Sequence, residues 1–217
     1  MLFRSCDLRG ENFKRRDLAG ADLSGANLAS ANFHDARLTG AKLAGADLTR
    51  ANLNKADASR ADMTGAILIG TQFEFAKLDG AEMSGTLTDA TAGKSLADLP
   101  DTLENILAAH ARWAETSGAE GRPADLSGYD LRPVKKLSHA TLTALIAPNA
   151  VLYGLDLSGA SLQGAHLEGA DLRRVNLCGA DLRGANLRGA KLSNADLRDT
   201  NLGALLISSD RLLPARL

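Results

Sequence analysis

Aspartate is the residue whose recurrence in this chain most invites a chemical reading. Asp22, Asp47, Asp62, Asp171, Asp181 and Asp196 each stand between an alanine and a leucine or methionine. Paired carboxylates can do general acid–base work. The same slot, however, holds Asn27, Asn52 and Asn186 in other copies, and Lys42 and Lys191 in two more. A proton-transferring group does not exchange freely with an amide or an ammonium, so the slot reads as a solvated or ladder-forming surface position. The four histidines, His34, His110, His139 and His166, show neither HExxH spacing nor clustering. His166 and Glu168 flank Leu167 and share a face, but two ligands do not make a metal site. Cys178 has no recognisable base beside it and reads as a plain surface thiol. Gly93-Lys94-Ser95 matches only the end of a phosphate-binding loop. The first glycine of that loop would fall on Thr88, and no strand-then-helix context surrounds it. The stretch reads as a flexible linker. No catalytic, cofactor-binding or metal-ligating residue is assigned, and neither enzyme activity nor a cofactor is expected.

The elements that carry these residues are set by a period of five. From Ala21 to Thr64 every fifth residue from Leu23 onward is large and apolar, with one lapse at Ala58. An alanine sits two places before each centre without a break from Ala21 to Ala66. An α-helix needs a period of 3.6 and a strand one of 2. Five fits neither, so each quintet must turn a corner, and a fixed internal period marks a solenoid. The phase extends back to Phe3 and forward to Met83. It resumes at Ala124, slips by one residue near Pro133-Val134, and runs from Leu137 to Leu202.

The repeated Ala-(Asp/Asn)-Leu-x-x unit resembles the pentapeptide-repeat family. The resemblance implies an all-β solenoid, a right-handed four-sided β-helix with one quintet per side and four per coil. The central Leu or Phe and the small residue before it would point inward, and residues 20 apart would stack. Phe13, Phe33, Leu53 and Phe73 then share one column, as core packing. Some family members mimic duplex DNA and protect type II topoisomerases (gyrase) from inhibitors, and some dimerise through the C-terminal end.

Departures from the repeat divide the chain. We expect a first array over 1–90, a linker and α-helix over 91–123 with the helix near 101–117, a second array over 124–207, and an apolar tail over 208–217. Glu11 and Arg16 stand where alanine later dominates, so the first coil is either frayed or an exposed end. Asp101 with Glu104 suggests a capping-box start, and Gly118 a stop. Leu103, Ile106, Leu107, His110, Trp113 and Ala114 line one helical face, which needs the end or flank of a coil to cover it. His110 is expected to be half-buried there, and the tail to cap the last coil or form a dimer contact.

Composition limits the functions. Lys plus Arg number 25 against 26 Asp plus Glu, a net charge of -1. Arg173, Arg183, Arg188 and Arg198 fall on four different sides of the coil, so no phosphate-tracking stripe arises, and direct nucleic-acid binding is not expected. Near-neutral arrays also argue against a DNA mimic. Two distant cysteines and the absence of a long apolar run suggest a cytoplasmic protein without a membrane span. The sequence points to a non-catalytic interaction or scaffold protein with a protein partner it does not identify. A homodimer through the tail or an exposed coil end is the partner option the ends suggest, and gyrase binding is the alternative function.

Overall fold

Corners, rather than strands, are the repeating local structure. In each quintet the N–H that follows the corner donates back to the carbonyl of the apolar centre, as from Ala21 to Leu18 and from Ala165 to Leu162, each at 3.0 Å. The residue before that N–H takes positive φ. Glycine often fills this place, but Arg15, Asp35, Lys55 and Phe75 also hold it, with φ between 57 and 60°. A left-handed residue at each corner turns the chain onto the next side of the coil within four residues. The Asp or Asn before the centre closes the corner from outside. Its Oδ1 accepts the N–H two residues on, as Asp17 does from Ala19 and Asn52 from Asn54, both at 3.0 Å. These Asx-type bonds satisfy a backbone donor that faces out of the coil.

The computed structural model describes residues 2–90, 92–208 and 211–217. Met1 and Thr91, at the edges of expected segments, and Ser209 and Asp210 of the expected tail lie outside the described residues. The chain divides into two compact units, Met1–Ala90 and Thr91–Leu217.

In the first unit, parallel bridges join residues 20 apart, from Leu2↔Asp22 to Ile67↔Leu87. The coil therefore has four sides of five residues each. Backbone donors alternate between neighbouring coils: Phe3 N–H reaches Asp22 O at 2.7 Å, and Asn27 N–H reaches Cys6 O at 2.9 Å. Leu23, Leu28, Phe33 and Leu38, with Ala26, Ala31 and Ala36, fill the interior and are at most 1% exposed. Alanine recurs because a second large side chain per side would not fit so narrow a core. Phe13 stacks on Phe33 at 5.0 Å between centroids. The first coil is not frayed, since its rungs are all formed. Cys6, Glu11 and Arg16 of this coil are exposed, whereas Ala26, Ala31 and Ala36, in the same slot one coil on, are buried. Charge is thus tolerated where alanine is otherwise needed.

The second unit begins earlier than its quintets. Lys94 N–H donates to Gly128 O at 2.8 Å, and Asp130 N–H donates to Lys94 O at 2.9 Å. A 3-10 helix, Leu96–Asp98, follows with a capping box between Ser95 and Asp98. This stretch is a partial rung rather than a flexible linker. Helix α1 spans Leu103–Glu115. Its N-cap is Thr102, whose side chain accepts from Asn105 N–H, and not Asp101. Asp101 instead accepts from Thr102 N–H and Asn105 Nδ2. The helix ends in a Schellman motif: Ser117 takes φ 53°, and Gly118 N–H donates to Trp113 O at 2.8 Å. Ile106 joins the core of the second array, and Leu96, Leu99, Leu103 and Leu107 pack against it.

Early rungs of this array pair residues 21 apart, as in Asp130↔Val151, and later ones 20 apart, starting with Lys136↔Asp156. The extra residue falls at Val134–Lys135, just after the Arg132-Pro133 corner. At the far end the quintet rungs reach Asp181↔Asn201, and an antiparallel pair, β1 (Leu205–Ser208) and β2 (Arg211–Leu213), follows, so the tail starts inside the range expected for the second array. Beyond β2, Arg216 bridges Asn186, with Leu187 N–H donating to Arg216 O at 2.6 Å. The repeat would have placed residue 206 on that rung; Arg216 takes it instead. The tail therefore caps the last coil.

Two substitutions should move stability in opposite directions. Gly121 has φ 78°, and a Cβ there would lie 2.1 Å from the Ala109 carbonyl oxygen. Gly121→Ala should lower unfolding stability by about 2 kcal/mol or more and reduce amide protection in Leu103–Glu115. Phe75 holds φ 57° and is 84% exposed. Phe75→Gly relieves left-handed strain, loses no core contact, and should raise stability by up to about 1 kcal/mol after the entropy of glycine is subtracted. Denaturant unfolding of both variants beside the parent protein checks both signs.

Candidate functional site

Two residues either side of an inward-pointing centre face outward together. In the repeat this places the Asp of one corner beside the residue after the centre, and where that residue is Arg the two form a forked pair. Asp7–Arg9, Asp130–Arg132, Asp171–Arg173, Asp181–Arg183 and Asp196–Arg198 are all of this kind. Hydrogen bonds from Arg198 hold the Asp196 carboxyl down at about 2. Hydroxyls do the same at other corners: Ser24, Ser59, Thr64, Ser127 and Ser158 lower the pKa of Asp22, Asp57, Asp62, Asp125 and Asp156. A carboxylate held ionised in this way is a poor general acid or base near neutral pH. The reading of the Asp slot as a solvated surface position does not hold throughout, since Asp22, Asp47 and Asp171 are buried, and it missed the corner hydrogen bond. The signal was available, because Asp and Asn share an Oδ1 acceptor that Lys lacks.

Charge also alternates between coils. Asp17 meets Arg37 at 3.2 Å, and the Asp57 carboxyl is lowered in part by Lys77 and Arg37. On another side Lys42 lowers Asp62. The arginines after the second-array centres are accounted for similarly. Three are paired within their own quintet, whereas Arg188 makes the corner bond from its backbone N–H to Asn186, which does not involve its charge. No side of either unit gathers a single sign of charge from these residues.

The histidines are not brought together. His34 Nδ1 lies 3.1 Å from Asp35, and His166 Nδ1 lies 3.7 Å from Glu168, whose Oε1 also accepts from Asn186. His139 is exposed. Among the described residues no three His, Cys, Asp or Glu side chains are placed to hold a metal ion. Cys6 is exposed and Cys178 partly so, both as free thiols. His110 is fully buried, not half-buried, and its ring stacks on Trp113 at 5.7 Å between centroids. Its burial follows from α1 lying on the start of the second array, a docking that places His110 beside Ala124. A groove of about 500 Å³ runs along the other side of α1, between Asp101, Asn105, Arg112 and Arg122.

What stands out on the surface is apolar. Leu2 is 73% exposed, Phe75 84%, Leu206 and Leu212 62% each, and Leu217 77%. These are the features that the five-residue pattern does not require. The sequence reading missed Phe75, although a bulky aromatic where the corner favours glycine was a signal that could have found it.

The buried and exposed ion pairs should respond differently to truncation. Arg173 and Asp171 side chains are 4% and 9% exposed, whereas those of Arg198 and Asp196 are 79% and 32% exposed. Arg173→Ala leaves a carboxylate out of water and should cost about 3–5 kcal/mol. Arg198→Ala should cost less than about 1 kcal/mol. Thermal unfolding of the two variants measures the contrast.

Comparison with known proteins places this geometry. The family description "Pentapeptide repeats" matches residues 2–35, 31–68, 46–85, 136–174 and 165–203, well over half of the chain. No curated protein matches. Among solved structures, HetL of Nostoc sp. strain PCC 7120, a pentapeptide repeat protein involved in heterocyst differentiation regulation, is 30% identical. That match covers 98% of this chain and 91% of HetL with a TM-score of 0.23. Another pentapeptide repeat protein from Nostoc PCC 7120 is 30% identical over 41% of this chain and 84% of its own, with a TM-score of 0.35. QnrB1, a plasmid-mediated fluoroquinolone resistance protein, is 18% identical over 88% of this chain and 89% of its own, with a TM-score of 0.31. With its quintets, corners and ladders, this chain belongs to the pentapeptide-repeat family and folds as a right-handed four-sided β-helix interrupted by one α-helix.

Proposed function

We propose that this protein is a non-catalytic interaction or scaffold protein, acting in the cytoplasm, that binds a protein partner through a face of its β-solenoid. The observation that carries the reading is Phe75. A phenylalanine 84% exposed and held at φ 57° is unfavourable for stability on two counts. Such a residue on a rigid backbone suits an interface anchor, because aromatic side chains supply much of the energy in protein contacts and little entropy is lost when the backbone is already fixed. Two free thiols suit a reducing compartment. Support for this reading over a DNA mimic comes from charge: acids and bases pair within quintets and alternate between coils, whereas a mimic needs a sustained negative face. No helix among the described residues is long and apolar enough to cross a membrane.

The test uses Phe75→Gly, a change expected to stabilise the fold, so that lost binding is not lost structure. Tagged parent and variant proteins are compared for recovery of partners, and each candidate is then reconstituted from pure components. The expected result is a partner bound in fixed stoichiometry by the parent and at least tenfold more weakly by the variant. Equal affinity for both would remove Phe75 from the interface. A gyrase supercoiling assay with and without a quinolone is run in parallel, and protection at micromolar protein would replace the scaffold reading with the topoisomerase one. Sedimentation of the protein alone tests a second copy as the partner, for which Leu206, Leu212 and Leu217 of the tail are the exposed residues.

A further inference from the structure

The helix that opens the second unit is held by an unusual polar contact. His110 sits on the buried face of α1 with no exposed surface. Its Nδ1 accepts the backbone N–H of Ala124 at 3.0 Å. That N–H begins the first quintet of the second array, and Ala124 is itself 1% exposed. An imidazole nitrogen can accept only when it carries no proton, so the neutral tautomer with hydrogen on Nε2 is the one that fits. Nε2 is buried without a hydrogen-bond partner in the protein. The Leu142 carbonyl, which also accepts Leu145 N–H at 3.0 Å, is the backbone group that favours a proton on the ring, and burial outweighs it.

No charge stands ready to compensate an imidazolium. The charged residues of the elements around the ring are Glu104, Arg112 and Glu115 on α1, and Glu120, Arg122 and Asp125 on the segment through Ala124; all six are exposed. Thr141–Leu145, which brings Leu142, has no charged residue, and His139 before it is exposed. Asp130 is buried but is already forked onto Arg132.

We propose that His110 is an acid-sensitive latch, which holds α1 on the first coil of the second array when neutral and releases the helix when protonated. Protonation of Nδ1 turns the acceptor into a donor aimed at the Ala124 N–H, and it places a cation in a site with no counter-charge. Both effects are relieved if the ring reaches water. It can do so only if α1 lifts and takes Ile106 and its neighbours from the apolar coil end. Burial lowers the pKa of His110 from its ordinary 6.5. The sign follows directly: the released state binds the proton more readily, so the latch is at full strength above about 6.5 and weakens as pH falls. One proton is linked to opening, so the opening equilibrium should rise about tenfold per pH unit below about 6.5, until the closed form itself protonates.

Trp113, the only tryptophan, reports on the event from its place against the ring. The protein is titrated from pH 7.5 to 4.5, reading hydrogen exchange of Leu103–Glu115 (corrected for intrinsic pH dependence) and the Trp113 emission maximum. The expected result is a loss of protection in α1 of about tenfold per unit, accompanied by a red shift. Quenching without a red shift would mean protonation in place and would overturn the proposal. His110→Asn keeps an acceptor near the Nδ1 position and cannot titrate, so its α1 protection should be flat over this range. An acid transition in that variant equal to the parent's would also overturn the latch. Should the variant not fold, the imidazole resonances of His110 in the parent protein decide the matter. They must shift with the same midpoint as the loss of α1 protection, and different midpoints would refute the link.

Discussion

Everything in this protein depends on the coil-to-coil hydrogen-bond ladder. Each side of a coil donates forward to one neighbour and backward to the other, so a coil is satisfied only when it lies between two others. The interior then needs just one large and one small apolar residue per side. The outward positions can vary almost freely. The same rule makes the ends the demanding places, since a terminal coil presents unpaired backbone groups and a slice of core.

The second unit meets that demand with different devices at its two ends. At the start, a partial rung at Lys94, a 3-10 turn and helix α1 cover the core, with Ile106 joining it. At the finish, an antiparallel strand pair brings Arg216 back to the ladder. The first unit begins instead with a complete coil whose Glu11 and Arg16 are exposed.

Much of the fold was legible in the sequence because its physics is local and repeated. Alanine and leucine at fixed spacing declare the interior, and a residue count of 20 declares the stacking. The one-residue slip could be placed near Pro133 by phase alone. Other features were not legible, since they depend on contacts between distant segments. Lys94 looked like linker until Gly128 and Asp130 were seen to bond to it, and no local pattern announces that pairing. His110 read as half-buried because its helical face says nothing of how deeply the coil end will cover it. Thr102 displaced Asp101 as the N-cap because both residues favour that position, and the backbone geometry chose between them. The candidate surface divides in the same way. The role of Asp at the corners was inferable from its exchange with Asn, and Phe75 from its place at a glycine-favouring position, whereas the pairing of Asp with the following Arg emerged only with the outward faces.

The rung above Asn186 is filled by Arg216 although the repeat count assigns it to residue 206. The ladder therefore recognises an extended backbone of suitable geometry and is indifferent to how far along the chain that backbone lies. A segment can bulge away after one rung and the chain can return to fill a later one. For a protein built this way, each corner is a potential point of grafting, where new surface can be added without redesign of the coils beneath it.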